Sequence, residues 1–152
     1  MREHRSTSGN NADARLGAQM PARIGGSRLL RRRVEVGRLG ERAAADLLRR
    51  RGFDVVGTGF TARRGEIDLI CRRGTELVVV EVKTRTFAGK GADAVNPAEA
   101  VTDRKRRSLM AATAEYRALA QWRGRIRFAV VSVLVDEDTN LTSVELIDDP
   151  FG

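Results

Sequence analysis

The chain has 152 residues, 41% of them hydrophobic and 32% charged, with a formal net charge of +8. That length supports one domain around one modest core, and no run of about 18 apolar residues offers a membrane-spanning helix. One cysteine, Cys71, excludes an intrachain disulfide and fits a reducing, cytoplasmic setting; one histidine, His4, excludes a core Ser-His-Asp triad, a histidine-built metal centre and a histidine general base.

The charge is unevenly placed. Residues 1–34 carry +6, residues 35–135 carry +8 and residues 136–152 carry −6. The central segment is therefore basic by itself. Excess positive charge favours a polyanionic partner, DNA or another nucleic acid, through steering and counterion release. The competing explanation is an arginine-heavy composition, since most of the 28 basic residues are arginine.

Residues 1–34 mix Ser, Gly, Asn and Arg without sustained periodicity and read as a disordered basic tail. No apolar run of about 7–15 residues follows the basic start, so a secretory signal is not expected. The folded domain is expected over 35–148, with 149–152 as a short C-terminal tail. From Val36 to Arg51, alanines and paired leucines favour helix. Gly52 suits its C-terminal cap, and Arg49, Arg50 and Arg51 complement the helix dipole. Phe53–Val56 reads as a short strand with a glycine-rich connection at Gly57–Gly59. Glu66–Arg72 and Glu76–Arg85 read as longer strands joined by a tight turn at Arg73-Gly74-Thr75.

Phe87–Pro97 is a small-residue loop. Its Gly89-Lys90-Gly91 is not a phosphate loop, because position 84 holds Thr84 where a glycine is required. Thr102 or Asp103 can cap a helix running to about Trp122. Arg125–Val135 is a strand and Leu141–Ile147 an edge strand. The expected fold is α/β, a mixed central sheet flanked by helices, in the order helix-strand-strand-strand-helix-strand-strand.

Side chains of a strand alternate faces. In the second strand, Glu66, Asp68 and Ile70 share one face, and Ile67, Leu69 and Cys71 the other. In the third, Val79, Glu81, Lys83 and Arg85 share a face, opposite Val78, Val80 and Val82. A two-residue Gly74-Thr75 loop sets Arg73 against Glu76. The same register sets Asp68 against Glu81 and Glu66 against Lys83, with opposed Cβ atoms about 4.5–5.5 Å apart. Glu66–Lys83 is an ordinary opposite-charge pair. Asp68–Glu81 is destabilising unless a cation lies between the two carboxylates, and hard oxygen donors suit Mg²⁺ or Mn²⁺.

Lys83 projects toward the same place, where its charge can orient an attacking hydroxide or stabilise a scissile phosphate. The alternative for these four residues is a solvent-facing edge with cross-strand ion pairs. On the first helix, Glu41 shares a stripe with Gly37, Ala44, Ala45 and Leu48. That stripe faces the sheet, which makes Glu41 a third candidate carboxylate. The alternative is a Glu41 paired with Arg38 or Arg42 in solvent.

The blocks Gly40-Glu41-Arg42-Ala43-Ala44-Ala45, Gly65-Glu66-Ile67-Asp68-Leu69-Ile70 and Val80-Glu81-Val82-Lys83-Thr84-Arg85, then Pro97-Ala98-Glu99-Ala100-Val101-Thr102 and Arg104-Lys105, strongly resemble the YraN family. The resemblance covers about residues 36–135. These are small bacterial proteins with a restriction-endonuclease-like fold, related to archaeal Holliday junction resolvases. The resemblance implies metal-dependent cleavage of branched or damaged DNA. Glu41, Asp68 and Glu81 would hold Mg²⁺ or Mn²⁺, and Lys83 would complete the catalytic set. Lys105 matches a basic position suited to phosphate, and the nucleic-acid surface is expected to comprise Lys105, Arg104, Arg85 and Arg64. A homodimer is expected by analogy alone, since resolvases need two active sites. Two positions depart from the family pattern: Ala129 stands where relatives carry Asp, and Gly59 near where they carry Asn. The rival expectations are a nucleic-acid-binding repair or recombination accessory that no longer cuts, and an interaction protein of a repair complex.

Overall fold

The computed structural model describes residues 24–88, 101–140 and 142–148. His4, residues 1–23 of the expected tail, most of the Phe87–Pro97 loop, the Pro97–Ala100 part of the family blocks and the 149–152 tail lie outside them. The elements are α1 (Ile24–Arg50), β1 (Asp54–Thr61), β2 (Glu66–Arg73), β3 (Glu76–Phe87), α2 (Asp103–Leu119), β4 (Arg125–Asp136) and β5 (Thr142–Asp148). This is the expected order. The strands form one mixed sheet, β1-β2-β3-β4-β5. β3 and β4 are parallel and the other neighbours antiparallel. Parallel neighbours need a crossover, which α2 lies on. Among the described residues no helix is long and apolar enough to cross a membrane.

Three element boundaries differ from the sequence expectation by more than two residues. α1 begins at Ile24 rather than Val36, so residues 24–34 are helical and not part of a disordered tail. The periodicity is weak there because this half has little core to face: Arg28, Leu29, Leu30, Arg31 and Val34 are exposed. Extending a helix from a packed turn is far easier than nucleating one, and Leu and Arg are good helix formers. β1 runs to Thr61 rather than stopping at Val56. A bulge between Val55 and Gly57, and a left-handed Gly59 at φ +61, keep the glycine-rich stretch within the strand. α2 ends at Leu119, short of Trp122, because Gln121 turns left-handed and lets the Trp122 N–H reach the Arg117 carbonyl at 3.0 Å. The cap at Gly52 is as expected: its φ is +83, and the Phe53 N–H donates to the Leu48 carbonyl at 3.0 Å.

Two apolar layers cover the sheet. On one face Ala44, Leu48, Leu69, Val80, Val131 and Val133 pack together under α1. On the other Ile67, Ile70, Leu77, Val79, Leu109 and Ala112 pack under α2. Ile67 is a correction, because alternation places it with Leu69 and Cys71. β2 therefore changes phase once, at Asp68. β1 does the same beside it: the register runs Thr58 to Leu69 and Phe60 to Ile67, with left-handed Gly59 between. Phe60 packs on the α2 layer, whereas Thr58 lies beside Leu69 under α1. Local irregularity of this kind re-aims one side chain, and here that side chain is Asp68.

Candidate functional site

The Gly74-Thr75 turn sets Arg73 opposite Glu76, and the ladder continues to Leu69 opposite Val80, as the sequence register requires. It ends there. Beyond it β3 pairs with β4 as far as Phe87–Asp136. Asp68 is the first β2 residue past the ladder, and its Oδ2 accepts the Val82 backbone N–H at 2.7 Å. A side-chain oxygen thus stands where a carbonyl would continue the pairing. This holds the Asp68 carboxylate against the segment of β3 that carries Glu81.

Glu81 is only 3% exposed. Its Oε1 lies 3.6 Å from Lys83 Nζ and 3.2 Å from Lys105 Nζ. Its Oε2 is buried and, among the described residues, has no hydrogen-bond partner. Burial first, and then the charge of Asp68, push the Glu81 pKa up to about 7 against the pull of Lys105 and Lys83.

The expected Glu66–Lys83 pair is a second correction. Lys83 turns to Glu81, and Glu66 meets Lys105 at 3.7 Å. With the ladder ended at Leu69, positions further along β2 and β3 are no longer opposed. α2 brings Lys105 into the opening. Lys105, expected as a phosphate contact, has its ammonium committed to Glu81 and Glu66. Partial burial lowers its pKa, but Glu81, Asp68 and Glu66 outweigh that and hold it above the ordinary value.

α2 is fixed at its start and along its length. Thr102 caps the helix by accepting the Lys105 N–H at 3.2 Å. The β1–β2 connection is clamped on by Ser108 Oγ donating to the Arg64 carbonyl at 2.9 Å and by the Arg63 N–H donating to Glu115 at 3.0 Å. Gly65 lies so close to the Ser108 carbonyl that a Cβ would strike it.

Glu41 arrives from the opposite layer. Gly40 passes Thr84 too closely for any Cβ, and Glu41 lies in a groove with Arg38, Arg42, Thr58 and Leu69. Partial burial, then Asp68 and Glu66, raise its pKa against the effect of Arg38. Asp68 is the link between the two sides: its charge acts on Glu41 from α1 and on Glu81, which Lys83 and Lys105 meet. Arg64, Arg85 and Arg104 are exposed, each within two residues of Glu66, Lys83 or Lys105. Ala129 is buried in the α1 layer, on the other face of the sheet from Glu81. Gly59 is the departure from the family pattern that lies beside Asp68.

Sequence reasoning missed the bridging place of Lys105 and the anchor role of Glu66. One signal was present. Lys105 is the third residue of a helix, where the dipole disfavours a cation, so acidic groups nearby were implied. As for a metal, Asp68 and Glu81 offer hard oxygen donors, and the buried, unpartnered Oε2 of Glu81 fits a cation. Among the described residues, no three His, Cys, Asp or Glu side chains gather closely enough to cage one unaided.

A family model described as "Uncharacterised protein family UPF0102" matches residues 40–133. A UPF0102 protein of Caldicellulosiruptor bescii is 36% identical over 119 residues, covering 77% of this chain and 97% of the relative. One from Syntrophomonas wolfei is 39% identical over 104 residues, 68% of this chain and 87% of the relative. One from Moorella thermoacetica is 37% identical over 116 residues, 76% of this chain and 93% of the relative. The matched span runs from Gly40 to Val133 and contains every residue of the cluster.

Proposed function

The chain belongs to the UPF0102 family, which is the YraN family, and from that premise we propose that it is a metal-dependent endonuclease hydrolysing phosphodiester bonds in branched or damaged DNA. The observation that carries this reading is the Asp68–Glu81 carboxylate pair with Lys83 at 3.6 Å, placed where the β2–β3 ladder ends. Asp68, Glu81 and Glu41 would hold Mg²⁺ or Mn²⁺, which supplies Lewis-acid polarisation and charge neutralisation at a phosphate. Lys83 adds a fixed positive charge where negative charge develops on the scissile phosphate. Val82 fixes Asp68 through its amide, and exposed Arg64, Arg85 and Arg104 would contact backbone phosphates.

The test is a cleavage panel of single-stranded, duplex, flap and four-way-junction DNA with Mg²⁺ and with Mn²⁺. Metal-dependent cutting by the wild type, lost in Glu81→Ala, is the expected result. Binding without cutting on every substrate would favour the second reading, a DNA-binding repair accessory. One observation speaks for it: among the described residues no three potential ligands form a ready-made cage.

A further inference from the structure

We propose that Lys105 is the resident cation of the Asp68–Glu81 pair and competes with a divalent metal for it. The inference rests on the metal-site reading above and deepens it.

Two ammonium groups meet Glu81, and they are not equivalent. Lys83 lies on the same strand two residues away, with its Nζ at 3.6 Å. Lys105 comes from α2 and lies closer, at 3.2 Å. Among the described residues, only Lys105 has a second anchor, Glu66 at 3.7 Å, whose side chain is 62% exposed. Lys105 therefore bridges one carboxylate inside the pair and one outside it.

Both lysines use Oε1 of Glu81, which leaves Oε2 buried and, among the described residues, unpartnered. A divalent ion taken up at Oε2 would stand within a few ångströms of the Lys105 ammonium, and two like charges at that range repel strongly. Lys105 can give way without moving α2. Its stem is long and flexible, and Glu66 retains its head group on the solvent side. Among the described residues Lys83 pairs with Glu81 alone, and it stays there. Loading the metal thus transfers Lys105 from the pair to Glu66, beside exposed Arg104.

The experiment measures Mn²⁺ binding to the full chain by calorimetry and by the metal-induced rise in Tm. It compares wild type, Lys105→Met, Lys105→Gln and Glu81→Gln. Both Lys105 variants should bind Mn²⁺ about tenfold more tightly than wild type, because the competing charge is gone. Their Tm should fall in the metal-free form and recover with Mn²⁺. A merely structural Lys105 would lower Tm with and without metal alike and leave the affinity unchanged. Equal or weaker binding in the Lys105 variants, with binding lost in Glu81→Gln, overturns the inference and leaves the metal site standing. No binding by wild type or by either Lys105 variant overturns both. If Lys105→Met does not fold, Lys105→Gln decides, since it keeps a hydrogen-bond donor for Glu81.

Discussion

Asp68 accepts the Val82 backbone amide at 2.7 Å, so one carboxylate both ends the β2–β3 ladder and faces the segment carrying Glu81. The two tasks separate by mutation. Asp68→Asn keeps an oxygen for the Val82 N–H and removes the charge. It should fold with a Tm at or above wild type and lose cleavage. Asp68→Ala leaves the amide without its partner and should cost about 1–3 kcal/mol. Thermal melts of the two variants side by side check this, and equal stabilities would show that the hydrogen bond contributes nothing.

Glu81 gives a pH signature. Its pKa rises from 4.5 to about 7 on folding. Between those values the folded state holds the proton more tightly than the unfolded chain. Stability therefore grows as pH falls from about 7 toward 4.5 and declines as pH rises through that window. Glu41 is shifted the same way, so the informative quantity is a difference between proteins. In metal-free denaturant titrations, wild type should show a steeper pH dependence than Glu81→Gln. Parallel curves would contradict the shift.

Lys83→Ala should lower the cleavage rate about 10²-fold or more, the range for losing one electrostatic stabiliser. DNA affinity should barely change. Lys83→Arg should rescue poorly, because a planar guanidinium is not a compact point charge. Rate, Kd and Tm measured on the same preparations separate catalysis from structure. A wild-type rate in Lys83→Ala would remove the residue from the mechanism.

Gly40→Ala should destabilise the fold by about 1–3 kcal/mol, since the added methyl meets Thr84 on the adjacent strand and forces α1 away from β3. Glu41 is the next residue and would move with the helix. Cleavage should fall further than the loss of folded protein explains. Activity normalised to the folded fraction is the measurement.

Replacing Arg64, Arg85 and Arg104 by alanine should weaken DNA binding evenly across sequences and leave Tm nearly unchanged, because all three are exposed. The slope of log K against log salt should shrink by about 0.9 for each phosphate that is no longer neutralised. An unchanged slope would place the DNA surface elsewhere on the protein.

What the sequence alone determined is local. The Gly74-Thr75 turn fixed the β2–β3 register, because hairpin loop length and residue type set which residues oppose. Alanines, leucines and Gly52 fixed the packed half of α1 and its end. Strand alternation fixed which face Glu81 and Lys83 share. Tertiary structure decided the rest, because those facts depend on elements distant in the chain. Whether residues 24–34 form helix is not written in their periodicity, since an exposed segment is extended by a neighbour that packs. The phase change at Asp68 needs left-handed Gly59 on the adjoining strand and the Val82 amide on the next. The partner of Glu66 is Lys105 rather than Lys83 because the strand pairing ends at Leu69–Val80 and α2, held by Thr102, Ser108 and Gly65, brings its first turn into the gap. Ion pairing follows distance in space, and a register read along two strands cannot report a lysine delivered by a helix from the far end of a crossover.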